Sequence, residues 1–286
     1  MDDAWGQILG RRGLDLLTMA LNRLIKRWVT WTAGNIGLHV TGRTSPTELR
    51  QLIDSLHAVT GGKELIRLGP EGDGGYLVPD DLESIERAFS PGVSTESGFE
   101  VDLAARGIQV FLADYSVDGP AQVNANFVFH KKYVGSLSNE TFITLAEWKD
   151  ATIPGHRGDL LLQMDIEGAE FEALLGAPTE LLKHFRIMVI EFHSLQELFN
   201  KPFFGLASRV FEKLLQTHSV VHIHPNNCCG SVRKAGLEIP RVAEFTFYRN
   251  DRLPQRSYCR SFPHPLDRDN TPNPTLVLPR CWYRQD

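Results

Sequence analysis

Two hydrophobic periods alternate along this chain. From residue 8 to 31 apolar side chains recur by fours and threes, and Leu17, Leu21, Leu24, Trp28 and Trp31 fall on one face of a predicted helix that Gly34, Asn35 and Gly37 end. A second helix is predicted over 46–59, with Ser45 as its cap, Pro46 in its first turn and Leu49, Leu52, Ile53 and Leu56 as its apolar face. Past Gly61-Gly62 the pattern changes to short apolar runs separated by helix-length stretches. The predicted strands are Ile85–Ser90, Gln109–Tyr115, Phe127–Val134, Asp159–Asp165, Arg186–His193, Val220–His224 and Phe245–Arg249; the predicted helices cover 98–106, 140–149, 168–183 and 203–217. Strands spaced by helices predict an α/β domain with a mostly parallel, seven-stranded sheet and helices on both faces. The last two strands are joined by a loop containing Pro240, so one of them is expected to run antiparallel at the edge.

Three segments follow from this pattern: an N-terminal helical extension over 1–60, the α/β domain over 61–255, and a tail over 256–286. Pro263, Pro265, Pro272, Pro274 and Pro279 make that tail extended, wrapping the domain or a partner. The length of 286 residues, 42% hydrophobic and 23% charged, suits a soluble globular protein. A net charge of −5 gives no global attraction to nucleic acid. The segment 8–31 departs from that balance, with Arg11, Arg12, Arg23, Lys26 and Arg27 against Asp15. Its helix either packs on the domain or on a second subunit of a homo-oligomer, or lies as a peripheral contact on an anionic membrane surface with its tryptophans at the interface. Cys228, Cys229, Cys259 and Cys281 lack zinc-finger spacing, which argues against structural zinc or a disulfide framework and for a reducing, cytoplasmic compartment. The acidic start Met1-Asp2-Asp3 argues against a signal peptide, and no apolar run approaches the ~20 residues that span a bilayer.

In an open parallel sheet, ligands bind beyond the carboxyl ends of the strands, so the residues there carry the candidate chemistry. The first strand runs through Ser90, Pro91, Gly92, Val93, Ser94, Thr95, Glu96, Ser97 and Gly98 into a helix. Gly92 lets the backbone approach a ligand closely, and small residues up to Gly98 let the helix begin near it. The full G-x-G-x-x-G pattern is missing, so a dinucleotide pyrophosphate is not specifically indicated. The second strand ends at Asp114, where a carboxylate can accept both hydroxyls of a ribose; Asp118 is a nearby substitute. The fourth opens onto Asp165, Glu167 and Glu170, three acids within six residues that stability alone does not explain. Glu191 and His193 share a face of the fifth strand, and His222 and His224 a face of the sixth, before Asn226. If those strands are adjacent, Asp165, Glu191, His193, His224 and Asn226 converge.

These residues resemble the FkbM-type family of S-adenosylmethionine-dependent methyltransferases. The most specific element is Leu161-Leu162-Gln163-Met164-Asp165-Ile166-Glu167-Gly168-Ala169-Glu170, similar to the family's apolar strand followed by D-x-E-G-A-E. Gly72-Asp73-Gly74-Gly75-Tyr76 and the Ser90–Glu100 turn are similar as well, and the resemblance covers about residues 65–250. It implies a class I, Rossmann-like methyltransferase fold in which Ser90, Gly92, Ser94, Glu96 and Gly98 cradle the methionine end of S-adenosylmethionine, Asp114 its ribose, and Asp165 completes the site. Pro91 and Ser94 stand where methyltransferases often carry further glycines. Acceptors in the family are varied, often sugars and polyketide or peptide products.

The expected reaction is O-methylation of a hydroxyl on a sugar, glycan or glycosylated natural product. Such a hydroxyl is a poor nucleophile and benefits from a base or a metal. His193 is the first candidate base and His224 the second, beside the acids Asp165 and Glu191. A catalytic Mg²⁺ or Mn²⁺ on Asp165, Glu191 and His193 is the sharper alternative. Two other readings stand beside it. One is a nicotinamide-dependent oxidoreductase, weakened by the incomplete glycine fingerprint; the other is a non-catalytic binding protein that keeps the fold. No N-P-P-Y-like tetrapeptide or basic groove is evident, so a nucleic-acid substrate is not expected, and neither a nucleophile elbow nor a Walker loop occurs.

Overall fold

The computed structural model describes residues 21–285 apart from positions 22, 26, 34, 37–39 and 94. The predicted helix at 8–31 therefore lies partly outside the described residues, as does Ser94 in the first turn. Two compact units divide at Arg43–Thr44. Before that point the described residues 27–33 are helical, with Leu24, Trp28 and Trp31 exposed. Among the described residues no helix is long and apolar enough to cross a membrane.

The second unit begins with α1 (Pro46–Ser55). Ser45 Oγ accepts the Glu48 N–H and Glu48 Oε2 accepts the Ser45 N–H, a reciprocal cap that satisfies two otherwise orphaned donors. Leu49, Leu52 and Ile53 enter the same core as the sheet, so this helix packs with the sheet's unit. A hairpin of β1 (Leu65–Leu68) and β2 (Tyr76–Pro79) follows, which the sequence pattern did not predict. Then come β3 (Arg87–Pro91), α2 (Gly98–Ala105), β4 (Gln109–Ala113), β5 (Phe127–His130), α3 (Leu145–Thr152), β6 (Leu160–Met164), α4 (Glu170–Gly176), α5 (Thr179–Leu182), β7 (Phe185–Phe192), α6 (Lys201–Leu215), β8 (His218–Pro225) and β9 (Ala243–Arg249).

The seven-stranded sheet has the order β8-β9-β7-β6-β3-β4-β5. Only β9 runs against its neighbours. The expectation of an antiparallel edge strand is corrected here: β9 lies inside the sheet and β8 takes the edge. Phe245 and Phe247 of β9 are both fully buried, and a strand of that character gains more from a partner on each side. β6 and β7 are buried along their whole length, as parallel strands covered on both faces must be.

The two sheet faces are covered differently. Leu160, Leu162, Met188, Ile190 and Phe192 meet α1, α3, α4, α5 and α6, with Trp148 and Phe211 filling the layer. Leu161, Ile187 and Val189 meet α2 together with the β1–β2 hairpin, through Phe99, Leu103, Tyr76 and Val78. A β-hairpin thus does part of the covering that the pattern assigned to helices. The predicted strand at 127–134 is two pieces, the second of which (Tyr133–Gly135) pairs with Phe142–Thr144. The predicted helix at 168–183 breaks at Ala177–Pro178, where a proline lacks the N–H that the helix needs.

The tail has little regular structure and wraps its own unit. Trp282 is fully buried in the core that α1 closes, and its indole N–H donates to Glu238 O at 3.0 Å. Cys228 and Cys229 are joined to one another. A bond between neighbours closes no long loop and makes no framework.

Candidate active site

The order reverses between β3 and β6, and a cavity of about 400 Å³ opens at the carboxyl ends of the strands there. Gly92 from the end of β3, Ala113 and Asp114 from β4, and Asp165, Ile166 and Glu167 after β6 form one side; Tyr133, Val134 and Phe142 form the other. Gly92 has φ +88°, and a Cβ there would come within 1.5 Å of Asp165 O, so the two strand ends touch only because this residue is glycine. Asp114 is 6% exposed. Its Oδ2 accepts the Val93 N–H and its Oδ1 accepts from Ser116 N–H and Oγ, which fixes the carboxylate in the cavity wall.

Beside this cavity, four carboxylates surround one imidazole. His193 Nδ1 lies 3.1 Å from Glu170 Oε1, and its Nε2 lies 3.4 Å from Glu167 Oε2, 3.8 Å from Asp165 Oδ1 and 3.9 Å from Glu191 Oε1. Glu170, at the start of α4, is fully buried and also accepts the N–H groups of Ile166 and Gly168. Glu167 and Ser194 both have left-handed backbones (φ +55° and +58°), uncommon for non-glycine residues. The first turn follows β6 and brings the Glu167 carboxylate to the imidazole, and the second directly follows His193. Glu191 Oε1 accepts from Asn226 Nδ2 at 3.0 Å, which ties the end of β8 to the group.

The electrostatics follow from burial and crowding. Burial lifts Asp165 to about 7; the attraction of His193 opposes that rise, and repulsion from Glu167, Glu170 and Asp73 adds to it. Burial, then the charges of Asp165 and Glu244, push Glu191 well above the usual carboxylate range. Burial disfavours a charged His193, but the hydrogen bond to Glu170 and the surrounding acids more than reverse that, and its value is raised.

A row across the sheet continues the cluster. Glu191 pairs with Glu244 on β9, and Glu244 with His224 on β8. His224 is turned to the tail: its Nε2 lies 3.2 Å from Asn270 Oδ1 and its Nδ1 3.6 Å from Asp267 Oδ1. Burial opposes its charge, but Asp267, Glu244 and Asn270 raise it to about 9, so at neutral pH it keeps its proton and is no base.

The structure brings Asp165, Glu191, His193 and Asn226 together, as the strand ends suggested, and puts Gly92, Asp114 and Asp165 in one cavity wall. Ser90, Glu96 and Gly98 are not in that wall. Ser90 Oγ lies 2.5 Å from Glu100 Oε1 and 2.6 Å from Gln163 Oε1, inside the sheet. Glu96 Oε1 accepts the N–H groups of Ser97 and Gly98 at the start of α2. Asp118 pairs with Lys131 on the surface. The sequence reading missed Glu244, which sits in the alternation Glu244, Thr246, Tyr248 of a strand it began two residues too late. It also missed Glu170 as a partner of His193, because an acid in a helix's first turn has an ordinary explanation in the dipole.

Sheet and cavity define the class: an α/β fold with a crevice at the topological switch point, where such folds bind ligands. Residues 131–218 match the family model described as the methyltransferase FkbM domain, a segment that contains the D-x-E-G-A-E run. The match bears out the FkbM-type resemblance, and the activity it supports is that of a methyltransferase. No curated protein matches the chain. Among solved structures, a variant of the 16S rRNA (adenine(1408)-N(1))-methyltransferase from Catenulisporales acidiphilia is similar at 12% identity and a TM-score of 0.29, over 68% of this chain and 97% of that one. A score of that size adds nothing to what the strand order already says.

Proposed function

We propose that this protein is an S-adenosylmethionine-dependent O-methyltransferase acting on a hydroxyl of a sugar, glycan or glycosylated small molecule. The observation that carries the reading is the single wall shared by Gly92, Asp114 and Asp165 at the switch point. The cavity suits the donor: about 400 Å³ is within the range of small-ligand sites, and its lining is mostly apolar with few polar groups. Tyr133, Val134, Phe142 and Ile166 would enclose the adenine, and Asp114 would take the ribose hydroxyls. Asp165 and Glu167 suit the positive sulfonium end. When bound, the donor supplies an electrophilic methyl group.

This chain's residues then have three tasks: to hold the acceptor oxygen in line, to remove its proton, and to keep water out. The cluster around His193 adjoins the cavity through Asp165, which belongs to both. Its carboxylates can accept hydrogen bonds from neighbouring sugar hydroxyls, and the same acids repel a phosphate backbone. Activation of the hydroxyl turns on His193, whose Nδ1 is tied to Glu170 and whose Nε2 faces Asp165, Glu167 and Glu191.

Calorimetry with S-adenosylmethionine tests the donor site. Wild type should bind, Asp114→Ala should bind at least ~10-fold more weakly, and His193→Ala should bind normally. With labelled donor and a panel of sugar and glycan acceptors, His193→Ala should lose ~10²-fold or more in turnover. No heat of binding in the wild type would end the reading.

A further inference from the structure

We infer that Asp165, Glu170 and His193 bind a single divalent cation, and that Mg²⁺ or Mn²⁺ is the class their donors suit. One ligand atom from each of the three lies within 4.8 Å of the others, so the set can close on one ion with small side-chain adjustments. Two carboxylates and an imidazole are hard to intermediate donors; the absence of thiolate from the group turns it away from softer metals.

Two buried atoms point to the ion independently of the acid count. Glu170 Oε2 and Glu191 Oε2 have no hydrogen-bond partner, in side chains 0% and 4% exposed. Asp165 Oδ1, at the cavity end of the cluster, also lacks one. Buried carboxylate oxygens are ordinarily satisfied, because stripping one of water without replacement is costly. Among the described residues no lysine or arginine forms an ion pair with Asp165, Glu167, Glu170 or Glu191; each is paired with His193 alone. One imidazolium could offset one of these four acids. A divalent ion offsets two and offers a partner to the orphaned oxygens of Asp165 and Glu170.

The location gives the ion a use. Asp165 is at once a member of the cluster and part of the cavity wall. Three protein ligands leave further coordination positions, which hard cations commonly fill with water or substrate oxygens. An acceptor hydroxyl in one of them would lose its proton more readily than in water. That last step rests on the methyl-transfer reading; the ion site itself does not.

The test uses the full chain, stripped with chelator and titrated with MnCl₂ alone, with free Mn²⁺ followed by electron paramagnetic resonance. One Mn²⁺ per chain should bind. Asp165→Asn and Glu170→Gln should each weaken it at least ~10-fold, as loss of ligand-shell groups commonly does. Glu172→Gln, on the exposed side of the same helix, should leave it unchanged. Thermal melts of each variant establish that it is folded, and Asp165, only part-buried, supplies the variant most tolerant of replacement. No stoichiometric binding in the wild type would overturn the inference, as would binding indifferent to both ligand substitutions. If Mn²⁺ binds as described while calorimetry finds no S-adenosylmethionine binding, the methyl-transfer reading fails and the ion site stands.

Discussion

At Gly92 the backbone turns with φ +88°, and a Cβ built there would lie 1.5 Å from Asp165 O; at Gly168 φ is +107°, yet nothing lies within 4 Å. Alanine at the two positions therefore separates conformational strain from collision. Gly168→Ala meets only strain and should cost about 1 kcal/mol. Gly92→Ala meets both, and relief requires β3 and β6 to part where the cavity begins. Its cost should exceed about 3 kcal/mol, and donor binding should be lost even where the variant folds. Urea unfolding read beside calorimetry checks both. Equal losses at the two glycines would remove the argument that close strand ends shape the cavity.

Between elements, the buried polar chain under the cavity does the aligning. Ser90 on β3 meets Glu100 on α2 and Gln163 on β6, and Gln163 Nε2 donates to the Tyr76 hydroxyl on β2 at 3.3 Å. Ser90 has one proton for two acceptors. Burial raises Glu100 above its ordinary range, and the hydrogen bond from Ser90 opposes that rise. Ser90→Ala should lower stability by roughly 1–3 kcal/mol in urea unfolding, with far less effect on donor affinity than Asp114→Ala. A Ser90→Ala protein of unchanged stability and lost donor binding would return this residue to the cofactor site. The sheet strands were legible because most carry a short run rich in buried apolar residues, and with them the convergence of Asp165, Glu191, His193 and Asn226. The β1–β2 hairpin was not: its strands are four residues each, shorter than a periodic pattern needs, and the loop between them is read as coil. The position of β9 escaped for another reason. Chain order places it last, whereas burial of both its faces places it inside. Ser90 and Glu96 are small or acidic residues in a ligand-type turn, and nothing in their spacing tells a ligand contact from a contact within the fold.

Over the whole second unit the tail is a structural member. Asp267 Oδ1 stands 2.8 Å from His222 Nε2, Asn270 Nδ2 donates to Asp73 Oδ1 and Glu244 Oε1, and Asn227 Oδ1 accepts from Thr271. These contacts lock the tail to β8, β9 and the loop before β2. They also set a pH window. His224 at about 9 lies above its unfolded value near 6.5, so its contribution is whole below that value and fades as pH rises through 9. Although burial alone would raise Asp267, its bonds to His222 and His224 hold it below the ordinary carboxylate range, so its contribution is whole above about 3.9 and fades in stronger acid. The His224 shift is worth at most about 3 kcal/mol. Hydrogen exchange across 257–273 should therefore quicken, relative to the sheet, between pH 7 and 10. Asp267→Asn should show that faster exchange already at pH 7, and a tail indifferent to both would be held by apolar contacts alone. The order of synthesis gives this arrangement a further meaning. Every strand of the sheet precedes residue 250, but Glu244 has no Asn270 amide, and His222 no Asp267 carboxylate, until residues 267–270 leave the ribosome. A nascent chain halted before residue 267 would carry every strand of the sheet but leave His222 and Glu244 without these partners.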